Sequence, residues 1–320
     1  MHAPIFLNSL STNELLNSCS LLKIDEIPMV RDFAYRFRVR HDELDSFAHL
    51  NNAVCVKYMQ EAAIQASTDA GYSLQWYDER AVAWVVRRLE IRYYLQVRYG
   101  DELEVRTWIS ECGRSTCRRE YDVTRTRDGA RVARGRGLWV YIDSKSGRPI
   151  RLPQEIKIAL APGGEKEDLG IRGYKSRTVE DCYRYCYRRQ VQSYELDPLG
   201  RAHHTVFFNW IEQAYYNAIR LAGHPLDKLR AGDWMVFQGG HEIEYFSPAR
   251  DNDEIEIVSW ICEIGKVRGA WIHEIYEAQS KTLMARDYSL GIFVNANGKP
   301  TAAPTSLLDD VLRGPASIKP

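Results

Sequence analysis

The sequence predicts an α+β protein made of two tandem copies of one unit, each with a long central helix wrapped by an antiparallel β-sheet. Two observations carry this prediction. The chain matches itself at a constant offset of 152 residues, which places E-L-D at 43–45 on E-L-D at 195–197. In each copy, a wide apolar helical pattern is followed by four strand-like runs. A repeat of this length in one register indicates duplication of a whole domain.

The repeat sets the predicted domain boundaries. Its register holds without a gap until Ala133-Arg134 falls on Ala285-Arg286. We predict a first domain at 31–153 and a second at 181–304. The remaining segments are a leader at 1–30, a linker at 154–180 and a C-terminal tail at 305–320, with a short helix at 306–312.

Each copy has the same predicted order of elements. The helices are expected at about 53–70 and 205–222, with Gly71 and Gly223 as left-handed residues at their C-terminal ends. The strand-like runs of the first copy are 33–39, 82–94, 102–110, 116–127 and 132–142, and those of the second are 183–187, 234–246, 254–262, 268–278 and 283–294. Glu90 and Glu242 are each interpreted as the acidic residue of a salt bridge on its strand.

Composition limits the classes of function. The 320 residues are 45% hydrophobic with a net charge of zero, which argues against nucleic acid as a main partner. No apolar run has the length of a membrane span. The histidines lack the spacing of a metal site, so we expect neither a metal nor a cofactor.

Cysteine and arginine usage allow two further inferences. The seven cysteines include no C-x-x-C, and we expect free thiols in a reducing compartment, which favours a cytoplasmic protein. The segment 118–136 is rich in arginine. It is either a solvated strand face or a docking face for phosphates or an acidic carrier protein.

The loop ahead of each helix is the candidate site. Asp45 and Asp197 occupy equivalent positions in the two loops. A helix N-terminus offers unpaired N–H groups and a positive dipole end, which polarise a carbonyl and stabilise an oxyanion. A neighbouring carboxylate can attack that carbonyl or activate a water molecule. The alternative is that both aspartates only cap a helix or turn.

The residues of these loops carry a resemblance to a known family. In the first copy, D-S-F-A-H-L-N-N at 45–52 resembles the helix-start signature of hotdog-fold acyl thioesterases, particularly the acyl-carrier-protein branch. In the second, D-P-L-G-R-A-H-H at 197–204 is similar to the 4-hydroxybenzoyl-CoA thioesterase branch. The resemblance implies a tandem double hotdog whose two units pair as an intramolecular pseudo-dimer, with further homo-oligomerisation left open.

The resemblance also implies roles for individual residues. The implied catalytic residues are Asp45, His49, Asn52, Asp197 and His204, and the implied substrate-binding residues are Asn51, Phe47, Tyr58, Phe207 and Trp210. For Tyr58, Phe207 and Trp210, a place in the core is the favoured alternative. Glu212 is interpreted as a helix hydrogen-bonding residue. The second copy lacks the His-x-Asn-Asn element, so one or both copies could be active.

The implied function is hydrolysis of an acyl thioester in fatty acid metabolism, with acyl-CoA or an acyl carrier protein as substrate. Asp is expected to act as general base or nucleophile, and helix N–H groups to hold the oxyanion. Two alternatives stay open. One is a hotdog hydratase or dehydratase acting on acyl thioesters, and the other is a non-catalytic acyl-thioester-binding protein.

Overall fold

The computed structural model describes residues 32–160, 169, 177–232, 234–295 and 298–315, and the predicted leader lies outside them. The elements of the first unit are β1 Phe33–Arg38, α1 Asn52–Asp69, α2 Leu74–Glu79, β2 Val82–Tyr93, β3 Glu102–Cys112, β4 Thr116–Arg125, β5 Ala130–Asp143 and α3 Gln154–Ala159. Those that follow are β6 Arg177–Thr178, β7 Tyr185–Gln190, α4 Val206–Leu221, α5 Leu226–Ala231, β8 Trp234–Tyr245, β9 Glu254–Ile264, β10 Arg268–Glu277, β11 Leu283–Asn295 and α6 Thr305–Arg313.

The strands of both units form one continuous sheet. Within the described residues it has 11 strands in the order β1-β3-β4-β5-β2-β8-β11-β10-β9-β6, and β7 also pairs with β9. The units join where β2 pairs antiparallel with β8, and Glu90 lies opposite Glu242, its own equivalent in the repeat. The pairing is therefore symmetric about this point. The intramolecular pseudo-dimer has its local twofold axis there.

The two long helices lie against this sheet in one shared core. α1 contacts β1 and β3, α4 contacts the equivalent strands β7 and β9, and the helices also contact each other. Met59 and Ala62 of α1 share a buried cluster with Phe208 and Ile211 of α4. Each helix is apolar on most sides because it packs against both the sheet and the other unit. The predicted tandem double hotdog is confirmed.

The predicted elements agree closely with the observed ones. α1 and α4 begin and end within one residue of the predictions, and Gly71 and Gly223 have φ angles of 89° and 88°. The helix expected at 306–312 is α6. The sequence did not indicate α2, α3 or α5. α3 lies in the range predicted as linker, yet it buries Ile156 and Ala159.

One expectation about the cysteines is wrong. Cys112 and Cys117 form a disulfide, although seven free thiols were expected. The two residues lie opposite each other across the β3–β4 hairpin. That alignment depends on the strand register, which cysteine spacing alone does not reveal. Cys55, Cys182, Cys186 and Cys262 are free.

The arginine-rich segment 118–136 is largely neutralised within the first unit. Its ion pairs are Arg118–Glu111, Arg125–Asp128, Arg127–Asp101, Arg131–Asp122 and Arg136–Glu120. This pairing argues against a free docking surface, and the burial of Arg119, Arg134 and Arg136 shows that the segment is only partly the expected solvated strand face. Among the described residues, none of the helices combines the length and apolarity that crossing a bilayer requires.

Candidate active site

The loop before α1 is a tight turn organised by Asp45. Its Oδ1 accepts hydrogen bonds from the backbone N–H groups of Phe47 (2.8 Å) and His49 (3.0 Å). The Asp45 N–H donates to the His49 carbonyl at 2.7 Å. Within the described part of the chain, Oδ2 has no hydrogen-bond partner. One carboxylate oxygen therefore builds the turn while the other is available to a ligand.

The turn has a left-handed residue three positions after its aspartate. Ala48 has φ 60°, and Gly200, its equivalent in the second unit, has φ 69°. A residue with a Cβ is strained in this region, and glycine is not. The first unit thus keeps the same turn with an unfavourable residue.

The N-terminus of α1 is fixed by the two asparagines that follow the turn. The Asn51 side-chain Oδ1 accepts from the Ala53 N–H at 2.9 Å and caps the helix. The Asn51 Nδ2 donates to Glu212 Oε2 of α4 at 2.8 Å. The Asn52 carbonyl accepts from the Tyr93 hydroxyl at 3.1 Å. One side chain therefore caps the first helix and ties it to the second.

The equivalent loop of the second unit has the same turn but a different electrostatic state. Asp197 Oδ1 accepts from the N–H groups of Leu199 (2.9 Å) and Arg201 (3.1 Å). The Arg201 guanidinium lies 3.5 Å from Asp197 Oδ2. Arg201 occupies the position of His49 in the repeat and neutralises the oxygen that is free in Asp45. Nearby, burial lowers the pKa of His204 to about 3.

A cavity of about 140 Å³ lies between the two units and extends between α4 and the sheet of the second unit. Four predicted site residues line it: Asp45, Phe47, His49 and Asn52. Burial lowers the pKa of His49, which Asp45 partly opposes, so its imidazole is neutral at neutral pH. Asp197 and His204 do not line this cavity. The structure therefore brings one of the two predicted loops to it.

Glu212 is a second carboxylate in the cavity. Burial raises its pKa, the hydrogen bond from Asn51 lowers it, and the nearby charge of Asp45 raises it further. The prediction of a helix hydrogen-bonding role is confirmed by the bond to Asn51. Sequence reasoning did not place Glu212 beside Asp45. An acidic residue inside a wide apolar helical stripe was the signal.

A buried histidine–aspartate pair adjoins Glu212. His241 Nδ1 lies 2.9 Å from Asp287 Oδ2, and the Asp287 side chain has no exposed surface. Burial raises the pKa of Asp287, and His241 opposes the shift. His241 also lines the cavity. The sequence assigned His241 no role, although a histidine within an apolar strand pattern was visible.

Three predicted substrate-binding aromatics lie in the core away from this cavity. The Tyr58 hydroxyl donates to Glu43, and the ring stacks on Phe37 with centroids 4.3 Å apart. In the second unit, Trp210 Nε1 donates to Glu195 Oε1 at 2.9 Å, and Phe207 packs on Trp210. These contacts hold the loops that contain Glu43 and Glu195 against the core. The three aromatics therefore have the structural role that was the favoured alternative to substrate binding. Asn51 also does not line the cavity, and both polar atoms of its side chain are hydrogen-bonded.

Comparison with known proteins agrees with the tandem fold. The family model of the thioesterase-like superfamily matches residues 39–160 and again residues 191–312. The chain belongs to this superfamily. Each match covers one unit, from the residue that follows its first strand, β1 or β7, to beyond its last strand.

The curated relatives of this superfamily member include plant proteins. It is 24% identical over 136 residues to a palmitoyl-acyl carrier protein thioesterase of Cuphea hookeriana, covering 41% of this chain and 33% of that protein. An acyl-acyl carrier protein thioesterase of Arabidopsis thaliana is 28% identical over 122 residues, covering 38% and 63%. The chain thus spans about a third of the length of the first of these.

Solved structures share the fold over most of the chain. An oleoyl thioesterase (putative) from Lactobacillus plantarum matches with TM-score 0.68 and 13% identity, covering 85% of this chain and 97% of that one. The 12:0-ACP thioesterase from Umbellularia californica matches with TM-score 0.66 and 16% identity, covering 82% and 95%. Both extend across the two units, so the whole tandem arrangement is shared.

The two units of this thioesterase-like chain differ in their interiors. At the positions of His241 and His273, the first unit has the buried side chains of Leu89 and Tyr121. At the position of Asp287 it has Gly135, and the Met59 side chain fills the space in front of that glycine. The interior of the first unit is therefore filled by side chains at the positions where the second unit has polar residues and a cavity.

Proposed function

We propose that the protein hydrolyses acyl thioesters at one composite site. The first unit supplies Asp45 and the N-terminus of α1, and the second supplies most of the walls of the cavity for the acyl group. The observation that carries this proposal is the difference between the two loops: Asp45 lines the cavity with a free oxygen, whereas Arg201 neutralises Asp197. Membership of the thioesterase-like superfamily supports the reaction class.

The proposed chemistry begins with the thioester carbonyl at the N-terminus of α1. Asp45 Oδ2 takes a proton from water, whose oxygen attacks the carbonyl carbon. The Asn52 N–H, which has no acceptor among the described residues, and the positive end of the α1 dipole stabilise the oxyanion. The intermediate collapses, the C–S bond breaks, and the thiolate leaves and takes up a proton. Direct attack by Asp45, followed by hydrolysis of the anhydride, is the variant route.

His49 and Asn52 have supporting roles in this proposal. Both line the cavity beside Asp45. Neutral His49 can exchange hydrogen bonds with water without competing for the charge of Asp45, because burial lowers its pKa. Glu212 is assigned a positioning role, since its carboxylate holds Asn51 and thereby the start of α1.

The carrier of the acyl group is proposed from the relatives. The plant proteins with similar sequences are acyl carrier protein thioesterases by name, which favours an acyl carrier protein over CoA. The neutralised arginine segment 118–136 offers little free charge for an acidic carrier, so CoA thioesters form the second arm of the test. Acyl carrier protein and CoA thioesters share the pantetheine thioester group.

The test compares Asp45→Asn with Asp197→Asn, which alter equivalent loops. Hydrolysis is measured by thiol release over a panel of acyl-CoA and acyl carrier protein thioesters. We expect Asp45→Asn to lower kcat by about 100-fold or more, and Asp197→Asn to leave it unchanged. The reverse ranking would transfer the site to the second loop. Hydration of crotonyl thioesters without thiol release would assign a hydratase instead, and binding without turnover would assign a binding protein.

A further inference from the structure

The end of the cavity farthest from the join between the units carries an unsatisfied polar atom. His273 lines the cavity and its residue surface is 1% exposed. Its Nδ1 lies 2.8 Å from Ser259 Oγ. Its Nε2 is buried and has no hydrogen-bond partner among the described residues. Buried polar groups in native proteins are nearly always paired, so this atom points to a missing ligand.

The fold itself does not require a histidine here. The equivalent residue of the first unit is Tyr121, whose ring fills the interior and whose hydroxyl accepts from Trp139 Nε1 at 3.2 Å. The same strand position is thus satisfied internally in one unit and left open in the other. The unpaired nitrogen, His273 Nε2, lies in the second unit, which forms most of the cavity. Its position therefore connects it with ligand binding.

The chemistry of the site selects a hydroxyl group. Burial lowers the pKa of His273 to about 3, so the ring is neutral. Depending on which ring nitrogen carries the proton, Nε2 donates or accepts a hydrogen bond. A hydroxyl group can act as the partner in either case, because it both donates and accepts. No lysine or arginine is among the described residues that line the cavity, so a carboxylate would be buried without a counter-charge.

The strand order gives the distance from the reacting centre. His241 on β8 adjoins Glu212, near Asp45, whereas His273 lies on β10, beyond β11. Neighbouring strands are about 4.8 Å apart, so His273 lies roughly 10 Å farther into the second unit. The group that meets it belongs to the distal end of the acyl chain rather than to the carbonyl.

The cavity also limits the size of the acyl group. Its walls include Phe208, Tyr215, Trp271 and Phe293, and its volume is about 140 Å³. An apolar cavity of about 150 Å³ takes up benzene. An acyl group of about one ring, or a short chain of similar volume, fits this space. A palmitoyl chain is far larger.

We propose that the cavity selects compact acyl groups that carry a hydroxyl at the end distal to the thioester, with His273 as the specificity-determining residue. The inference rests on the proposed hydrolysis. It names the substrate class of the same site. The hydroxyl completes the hydrogen bonding of Nε2, and an unsubstituted group of the same size leaves that nitrogen buried and unpaired.

The test uses two matched pairs of CoA thioesters: 6-hydroxyhexanoyl against hexanoyl, and 4-hydroxybenzoyl against benzoyl. For the unaltered protein we expect kcat/KM to favour the hydroxylated member by about tenfold or more in at least one pair. The pair with the larger ratio identifies a chain or a ring. In His273→Phe the ratio should fall to about one, while the unsubstituted thioester is still hydrolysed.

Controls separate this inference from the proposed function. Tyr121→Phe removes the hydroxyl at the equivalent position of the first unit and should leave the ratio unchanged. His273→Leu serves if the bulkier phenylalanine prevents folding. Equal rates within both pairs, or an unaltered ratio in the His273 variants, would overturn the selectivity while leaving hydrolysis intact. If neither these CoA thioesters nor the acyl carrier protein thioesters of the hydrolysis panel are cleaved, the proposed function fails, and calorimetric binding of the same pairs tests the selectivity alone.

Discussion

Asn51 of the first unit donates a hydrogen bond of 2.8 Å to Glu212 of the second, 161 residues away. The same side chain caps α1 through its other polar atom. The start of the helix that faces the cavity is therefore positioned by a carboxylate from the opposite unit. This bond makes the site a property of the pair of units rather than of either one.

Two substitutions of Asn51 separate its roles. Asn51→Ala removes both contacts and should cost about 1 kcal/mol of stability, together with a large part of kcat. Asn51→Ser keeps a capping oxygen but loses the amide donor, so it should lose less stability than Asn51→Ala while kcat still falls. Thiol-release assays and urea unfolding give the two readouts.

The control is Ser73→Ala, which removes the cap of α2, where the Ser73 hydroxyl accepts from the Trp76 N–H at 3.2 Å. It should match the stability loss of Asn51→Ala without affecting kcat. Full activity in Asn51→Ser would show that the bond to Glu212 has no part in positioning the site.

Glu212 should make stability depend on pH. Burial raises its folded-state pKa above the ordinary 4.5. Between these two values the folded state binds more protons than the unfolded state, so stability falls as pH rises through this window. Glu212→Gln should remove that fall and be more stable than the parent at neutral pH. Urea unfolding from pH 4 to pH 8 measures the difference.

Glu254→Gln is the matched control, because Glu254 is exposed on β9. Its unfolding free energy should follow the parent across the pH range. A parent and Glu212→Gln that differ by a constant amount at every pH would contradict a raised pKa for Glu212.

The left-handed turn residue predicts opposite effects in the two units. Gly200→Ala should cost about 1 kcal/mol, because a Cβ there meets no atom within 4 Å and the penalty is purely that of the backbone. Ala48→Gly should gain about 0.5 kcal/mol, since relief of strain exceeds the entropy of glycine. Thermal unfolding measures both.

Ala302→Gly provides the reference for an ordinary position, since Ala302 is exposed and lacks a positive φ. It should destabilise slightly, with the sign opposite to Ala48→Gly. A loss of stability in Ala48→Gly would mean that the turn does not strain Ala48.

Arg88 should stabilise the join between the units. It pairs with Glu90 at 3.0 Å and also with Glu242, and these two carboxylates face each other across β2 and β8. Arg88→Met removes the cation that the two carboxylates share, which increases their mutual repulsion and should cost about 1 kcal/mol. Adding Glu242→Gln should restore most of the loss. Urea unfolding of the single and double variants measures this.

Arg36→Met is the control, because it breaks the exposed ion pair with Glu104 and should have little effect on the free energy of unfolding. If Arg88→Met plus Glu242→Gln is no more stable than Arg88→Met alone, repulsion between the facing carboxylates is not the reason for the loss.

The sequence by itself determined the duplication, the α+β class and the limits of the long helices and strands. Side-chain periodicity reports which face of an element is buried, and the repeat doubled that signal. It also identified the turn at Asp45, because that turn is made by neighbours such as Phe47 and His49. Local hydrogen bonds are readable from local sequence.

Only the tertiary structure decided which loop meets a cavity. Periodicity says that Trp210 is buried, but not that it anchors a loop, nor that Glu212 faces Asp45 across the join. The β2–β8 pairing and the packing of α4 bring His241, His273 and Asp45 together from distant positions, and the register of β3 with β4 aligns Cys112 with Cys117. These arrangements depend on non-local packing, in which the partner of a buried side chain is set by the whole fold.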